Sequence, residues 1–445
     1  MEAVTPQPFT RKDRFIARLV SFLARAVYRD IEIYIPAPLP EKSPMLTVSN
    51  HFGGFADALV LLDVLPRRPG IVARDVIWKI PIAGAFMNWV GGIPVHKPED
   101  KGSATSNDEM FSSCYGALET GGHILIFPEG VTRNEPSIAP VKTGAARIAL
   151  GARAQGATGL SIVPVGIHYE DKAALRSRVF VNVGVPIDVD AEVARDNADS
   201  QVVDANNREA VGALNDEIAT SLRRAAPDFA DWTEASLLAQ GADIVLRSQL
   251  DDPAGHVELG LRDRYANTLA DLGREQRVKI CAAVSRYRED LDAVGYSDAE
   301  LNSRISAGHF TRSLVVQLMI GVFLLPFAVV GALTNVIPFL IVKGVGALRV
   351  APSMLSTLKP IAAFAAFGIT WGIVIWRAVN SFGWEAGVIA FILLPVYLAA
   401  VILLVERMTS IWRLLRRRRA SASASNLGNE IAAHRQAVVE TVLAS

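Results

Sequence analysis

The chain has little cysteine and no excess of either charge. Only two cysteines, Cys114 and Cys281, occur in 445 residues. Two are too few for a disulfide framework, and neither has a partner at metal-ligand spacing. The seven histidines are scattered, so no metal site is expected. The same scarcity of cysteine points to a reducing compartment. Lys plus Arg equals Asp plus Glu at 45 each, a formal net charge of zero. That balance leaves no electrostatic footprint for a nucleic acid, and no such partner is expected. The N-terminus lacks the long uncharged core of a secretory signal, because Arg11, Lys12, Arg14, Arg18 and Arg25 run through it.

What the chain has in abundance is apolar sequence, and most of it lies late. Mean hydropathy is +0.28, and the excess follows Leu314. The length allows two or three domains at ~150 residues each. Residues 1–29 are basic and amphipathic, with Phe15, Ile16, Leu19, Val20, Phe22, Leu23 and Val27 at helical spacing. Such a segment fits a helix lying on an anionic membrane surface, and equally a helix capping a domain. From Ile31 to about Pro186 strand and helix patterns alternate. Strands fit 31–36, the run ending at Asn50, 93–95, 124–127, 161–165 and 179–183. Helices fit 104–118 and 144–154. The alternation predicts an α/β domain over 30–203 with a largely buried central sheet. Residues 204–312 keep helical spacing and carry no motif tied to chemistry. Ser297-Asp298-Ala299-Glu300 within them is a capping-box pattern.

Residues 313–406 read as C-terminal transmembrane helices. Segment 314–342 is interrupted by Pro326, Gly331, Asn335 and Pro338. Spans fit 360–376 and 386–405, followed by Arg407, Arg413 and the run Arg416 to Arg419. That run marks the cytoplasmic side, and Lys343, Arg349 and Lys359 favour the same side for the preceding loop. Two spans then go out and back, so 314–342 is expected to enter and return as a re-entrant hairpin. The predicted arrangement is an integral membrane protein with its α/β domain on the cytoplasmic face. Residues 407–445 read as a basic, partly flexible tail around SASASNLGN.

Four stretches near strand ends carry polar groups suited to chemistry. The first is Asn50-His51 with Asp57, across Gly53-Gly54. An imidazole changes charge near neutral pH, and a carboxylate on its second nitrogen fixes the tautomer. The plainer alternative makes Asp57 a complement to a helix N-terminus. The second is Gly92 to Lys97, a strand ending in a charged turn. The third is Phe127-Pro128-Glu129-Gly130, followed by Val131, Thr132, Arg133 and Lys142. Backbone N–H groups beside Gly130 with a cation suit an anion, while Glu129 alone fits a structural salt bridge. The fourth is Val163-Pro164-Val165-Gly166, a strand and bend able to wall an apolar pocket.

Together, in this order, the four blocks resemble the glycerolipid acyltransferase family, over about residues 30–190. Members show an N-H-x₄-D block, a glycine-containing block ending in a basic residue, an F-P-E-G block and a proline-bearing strand. Two departures stand out. Five residues separate His51 from Asp57, and Val131-Thr132-Arg133 follows the F-P-E-G block. Both look like the fungal-type glycerol-3-phosphate/dihydroxyacetone-phosphate acyltransferases, as do Pro140 to Ala146, Arg176-Ser177-Arg178 and the membrane segments after the domain.

The resemblance implies acyl transfer from acyl-CoA, a co-substrate rather than a cofactor, to a hydroxyl of glycerol-3-phosphate or a related phosphorylated acceptor. His51 would be the general base and Asp57 its orienting acid. Arg133 and Lys97 would meet the acceptor phosphate, Glu129, Gly130 and Thr132 would shape the substrate site, and Lys142 and Arg178 would meet acceptor or CoA phosphates. No G-x-S-x-G elbow is present, in keeping with direct attack and no acyl-enzyme. A 1-acylglycerol-3-phosphate or other lysophospholipid acceptor is the alternative within the class. A non-catalytic lipid-binding or membrane-shaping protein is the alternative outside it. A transporter fits poorly, since the membrane part is small and lacks paired intramembrane charges.

Overall fold

The structure, a computed structural model, describes residues 11–79, 84, 87–88, 90–96, 107–196, 203–303, 305–424 and 429–445. The chain divides into two compact units. The first is Met1–Trp232 with Ala351–Ser356, and the second is Thr233–Val350 with Thr357–Ser445.

The first unit is an α/β layer structure. Its strands are β1 (Asp30–Tyr34), β2 (Met45–Ser49), β3 (Gly70–Arg74), β4 (Ile93–Val95), β5 (His123–Ile126), β6 (Ser161–Tyr169), β7 (Arg178–Val183) and β8 (Ile187–Asp188). They form one sheet in the order β1-β7-β6-β2-β5-β3-β4, with β8 beside the start of β6. The pairs of β2 with β5 and β6 are parallel, and β6 with β7 is antiparallel. Strand β2 is buried at every position, because it sits mid-sheet with helices over it. The helices are α1 (Arg11–Val27), α2 (Phe55–Val64), α3 (Asp108–Glu119), α4 (Gly144–Ala154), α5 (Val189–Asp196) and α6 (Arg208–Ala225). The core gathers Leu46, Val48 and Ile124 from the sheet with Leu118, Ile148, Leu214 and Ile218 from helices.

Several boundaries differ from the sequence reading. Strand β3 was not expected, since GIVAR is short and opens on glycine. Strand β6 runs on through Gly166 to Tyr169, where a bend was expected. Helix α6 packs into the core of the first unit, so that unit reaches Trp232 rather than 203. The close approach has a visible cause. A Cβ on Gly166 would lie 2.0 Å from the Ala225 carbonyl oxygen, which also accepts from His168 Nε2 at 2.9 Å and Asn182 Nδ2 at 2.8 Å. Helix α1 places Val20, Ala24 and Val27 in the interior, as a capping helix does, and leaves Phe22 53% exposed.

The second unit is helical: α7 (Trp232–Ser248), α8 (Leu259–Ala270), α9 (Arg274–Val294), α10 (Asp298–Leu301), α11 (Ala307–Gly346), α12 (Pro352–Phe382), α13 (Trp384–Ala424) and α14 (Asn429–Leu443). The first turn of α10 carries the expected capping box of Ser297 and Glu300. Three helices, α11, α12 and α13, are long and apolar enough to cross a membrane. Met319, Val322, Phe323, Leu333 and Phe391 stand about 70% exposed on them, an apolar surface that suits lipid rather than water.

The expected hairpin within 314–342 is not present. Helix α11 passes through Pro326 and Pro338 without a break, since a long apolar helix with neighbours to pack on accommodates proline. The returning path is made instead by α13, antiparallel to α11. Arg407 donates to Gln317 at 3.2 Å, and Arg416 binds Glu300 at 2.8 Å. Gly331 brings the backbones together, for a Cβ there would lie 2.3 Å from the Tyr397 carbonyl. Lys343 sits at the far end of the 40-residue α11 from Glu300 and Arg416. At ~1.5 Å per residue the helix is about 60 Å long. The two basic groups expected on one face therefore lie at opposite ends of this helix. The tail is more helical than expected: α13 continues to Ala424 and α14 packs Val438 and Val442 inward, while residues 425–428 of the stretch expected to be flexible lie outside the described residues. His434 meets Asp290 at 2.6 Å and Arg435 meets Asp298 at 2.7 Å, both anchoring α14 to the second unit.

His123 opens β5 as a core histidine. Its Nδ1 lies 2.8 Å from the Arg67 carbonyl, which must accept, so Nε2 accepts from Thr47 Oγ1 at 2.8 Å. Burial pushes its pKa down to about 3. The unfolded chain takes this proton near the ordinary value of 6.5. The neutral folded ring therefore loses stability progressively as pH falls from about 6.5 toward 3. A histidine NMR titration of the intact protein should leave the His123 ring shifts flat from pH 8 to about 4. A midpoint above 6 would refute this arrangement.

Candidate active site

The site is built at the exit of β2. Asn50 continues the strand by side chain: its Nδ2 donates to the Ile167 carbonyl at 3.1 Å, and its Oδ1 accepts from Ile167 N at 2.7 Å. This fixes the chain against β6 where His51 leaves the sheet. The His51 backbone is then gripped from both sides. Its N–H donates to Glu129 Oε1 at 2.9 Å, and its carbonyl accepts from Arg133 N at 3.2 Å. The ring stacks on Phe127 at 4.1 Å between centroids. Nδ1 lies 2.9 Å from Asp57 Oδ2, so the proton sits on Nδ1 and Nε2 is the basic nitrogen.

Asp57 lies in the first turn of α2 and is fully buried. Its Oδ2 also accepts from Gly53 N at 2.8 Å, and its Oδ1 accepts from Tyr169 Oη at 2.5 Å. The turn from His51 to Asp57 runs through the glycine pair. Gly54 has φ 61° and ψ −122°, open to glycine and strained for other residues. A Cβ on Gly53 would lie 2.7 Å from Asp57 Oδ1.

Glu129 is 1% exposed, and its second oxygen accepts from Ala139 N at 2.8 Å. Burial raises its pKa, opposed by these backbone N–H groups. Its carboxylate thus ties two loops to the histidine and braces the substrate site. Gly130 takes φ 65°, and a Cβ there would meet Lys142 Nζ at 2.8 Å, so this ammonium lies over the glycine. Arg133 reaches the site through its backbone, while its Nε donates to Glu135 Oε2 at 3.0 Å. Thr132 is exposed on the same loop. The structure thus brings together His51, Asp57, Glu129, Gly130, Thr132, Arg133 and Lys142. Arg178 is engaged elsewhere: its guanidinium lies 2.9 Å from Glu170 and 4.0 Å from Glu32, carboxylates that compete with any phosphate. Lys97 lies outside the described residues.

Three contributors escaped the sequence reading. Tyr169 is the last residue of β6, on the alternating face shared with Val165 and Ile167. That period was the available signal. Burial and the neighbouring Asp57 charge hold its pKa far above the ordinary phenol value, so it stays a donor. Tyr28 packs on it with ring centroids 5.7 Å apart. Ser356, in the first turn of α12 and belonging to the first unit, donates to the Gly53 carbonyl at 3.0 Å. Nothing local in its sequence marks it.

A histidine base oriented by a buried carboxylate, beside a glycine turn under a cation, can take the proton of a hydroxyl and hold an anion nearby. Residues 30–168 match the Acyltransferase family model. The chain is 30% identical over 221 residues to glycerol-3-phosphate O-acyltransferase 2 of Saccharomyces cerevisiae, covering 48% of this chain and 28% of that protein. It is 28% identical to 1-acyl-sn-glycerol-3-phosphate acyltransferase alpha of Mus musculus, covering 38% of this chain and 56% of that one. The matched region thus spans at most about half the length of these relatives. The solved 1-acyl-sn-glycerophosphate acyltransferase of Thermotoga maritima aligns at 15% identity and a TM-score of 0.34, over 47% of this chain and 78% of that chain. Residues 30–168 thus resemble an acyltransferase domain, and the relatives the chain matches are glycerol-3-phosphate and 1-acyl-sn-glycerol-3-phosphate acyltransferases.

Tyr169→Phe removes a hydrogen bond to the Asp57 carboxylate. The carboxylate then holds the His51 ring less firmly, so kcat should fall while KM stays nearly constant. The loss at neutral pH should be about tenfold. An unchanged kcat would mean that Tyr169 only packs.

Proposed function

We propose that this chain is a membrane-bound O-acyltransferase that moves a fatty acyl group from acyl-CoA to a hydroxyl of glycerol-3-phosphate or dihydroxyacetone phosphate. The observation that carries the reading is the 2.9 Å contact of His51 Nδ1 with the buried Asp57, which leaves Nε2 as the base. Nε2 takes the acceptor's hydroxyl proton as the oxygen attacks the thioester carbonyl. Asp57 stabilises the imidazolium so formed. The tetrahedral intermediate collapses with cleavage of the C–S bond, and the thiolate recovers the proton from Nε2. The thiolate is a good leaving group, so one base serves both halves of the reaction. Lys142 over Gly130 supports an anion at the acceptor end of the site.

The three apolar helices support a place at a bilayer, where the acyl chain and product reside. The cytoplasmic face is the proposed side for the site, in keeping with Lys343, Arg349 and Lys359, the basic residues on either side of Ser356. Phe22, exposed on α1 near Arg18 and Arg25, supports contact of that helix with the membrane surface. A 1-acylglycerol-3-phosphate acceptor is the second reading, favoured by the match to the mouse protein.

The test is transfer from labelled acyl-CoA by the purified protein to glycerol-3-phosphate, dihydroxyacetone phosphate and 1-acylglycerol-3-phosphate. Transfer to either of the first two is expected, and His51→Ala should lower it by about 10²–10⁴-fold with folding unchanged. Transfer to the third alone would establish the second reading. Near-normal turnover in His51→Ala would end both.

A further inference from the structure

Lys172 stands three residues beyond Tyr169, in the connection from β6 to β7. Its Nζ is buried and has no hydrogen-bond partner among the described residues. A buried ammonium without acceptors is unfavourable, since it has given up water and gained no oxygen in return. What it does have is the face of Trp232, with Nζ 5.2 Å from the ring centroid. That contact compensates only in part.

The surroundings tie this amine to the catalytic histidine. Trp232 Nε1 donates to the Asn134 carbonyl at 2.5 Å, and the preceding residue, Arg133, donates its N–H to the His51 carbonyl at 3.2 Å. Lys172 and Asn134 thus flank the same indole, one residue along the chain from the contact with His51. The side-chain Oδ1 of Asn134 is a second buried polar atom with no partner among the described residues. Burial lowers the Lys172 pKa, and the charges of Asp57 and Glu135 oppose that effect. The amine therefore lies within the electrostatic reach of the catalytic carboxylate.

We propose that Lys172 is a second cation of the acceptor subsite, besides Lys142, binding the phosphomonoester of the acyl acceptor, with Asn134 Oδ1 accepting from a hydroxyl of the same molecule. A phosphorylated polyol supplies both complements: phosphate oxygens for the ammonium and a hydroxyl proton for the amide oxygen. The proposal rests on the acyl-transfer reading above and names the residues that give it its acceptor. Neither residue lies in the four sequence blocks, and Lys172 joins the site because β6 ends beside Asp57.

The test compares full-length wild type with Lys172→Met and Lys172→Arg, matched by thermal midpoint, with glycerol-3-phosphate and acyl-CoA varied in turn. Lys172→Met should raise the acceptor KM by about tenfold or more, leave the acyl-CoA KM within about threefold, and change kcat little. Lys172→Arg should recover part of the affinity. Calorimetric titration with glycerol-3-phosphate in the absence of donor should show the same weakening. A rise in the acyl-CoA KM alone would assign Lys172 to the donor's phosphates and overturn the proposal. So would a lower kcat at constant KM, or no change in either. If wild type acylates no phosphorylated acceptor, the acyl-transfer reading fails. The titration then still decides whether Lys172 binds the phosphate.

Discussion

The site depends on one buried charge. Asp57 has no exposed surface, and a carboxylate taken out of water costs several kcal/mol unless donors replace the water. Its donors come from three places: the Gly53 N–H in the turn, the His51 ring at the exit of β2, and the Tyr169 hydroxyl at the end of β6. Each donor fixes the segment that carries it. The carboxylate therefore organises the turn as much as it orients the base. The absence of a side chain at Gly53 follows directly, since a Cβ would occupy the space of Asp57 Oδ1 and Tyr169 Oη.

The sheet order makes this convergence possible. Strand β2 lies between β5 and β6, and all three are parallel. Their carboxyl ends share one edge, the usual place for a ligand site in an open α/β sheet. Asn50 and His51 leave β2 there, Phe127 and Glu129 follow β5, and Tyr169 ends β6. Glu129 repeats on a smaller scale what Asp57 does. Both of its oxygens are occupied by backbone N–H groups, one from His51 and one from Ala139. A residue that reads as a substrate contact is thereby a brace that sets where the histidine stands.

The helical unit is governed by close packing and polar satisfaction. Gly331 admits the backbone of α13, and Asn335 next to it is buried. Asn335 Nδ2 donates to the Gly331 carbonyl at 2.8 Å, and Trp371 Nε1 donates to Asn335 Oδ1 at 2.8 Å. Proline, glycine and asparagine in one apolar segment suggested a break in the helix. Gly331 and Asn335 are instead points where α11 receives its neighbours, and the helix runs on through both prolines. A local pattern cannot distinguish these cases, because the partners, Trp371 for Asn335 and Tyr397 for Gly331, lie 36 and 66 residues further along.

The sequence by itself determined the α/β alternation, the pairing of His51 with Asp57, and the three apolar stretches. Each is a local signal: period of hydrophobicity, a histidine at a strand exit, a run without charge. Tertiary structure alone decided the rest. It made Glu129 a brace, gave Arg178 to Glu170 and Glu32, and packed the end of the tail as α14. It also brought Tyr169, Tyr28 and Ser356 to the catalytic turn, though the chain carries them 112, 29 and 299 positions from Asp57. The physical reason is that a polar group takes its role from whichever partner replaces its lost water. Those partners are chosen by packing between distant segments rather than by neighbours in sequence.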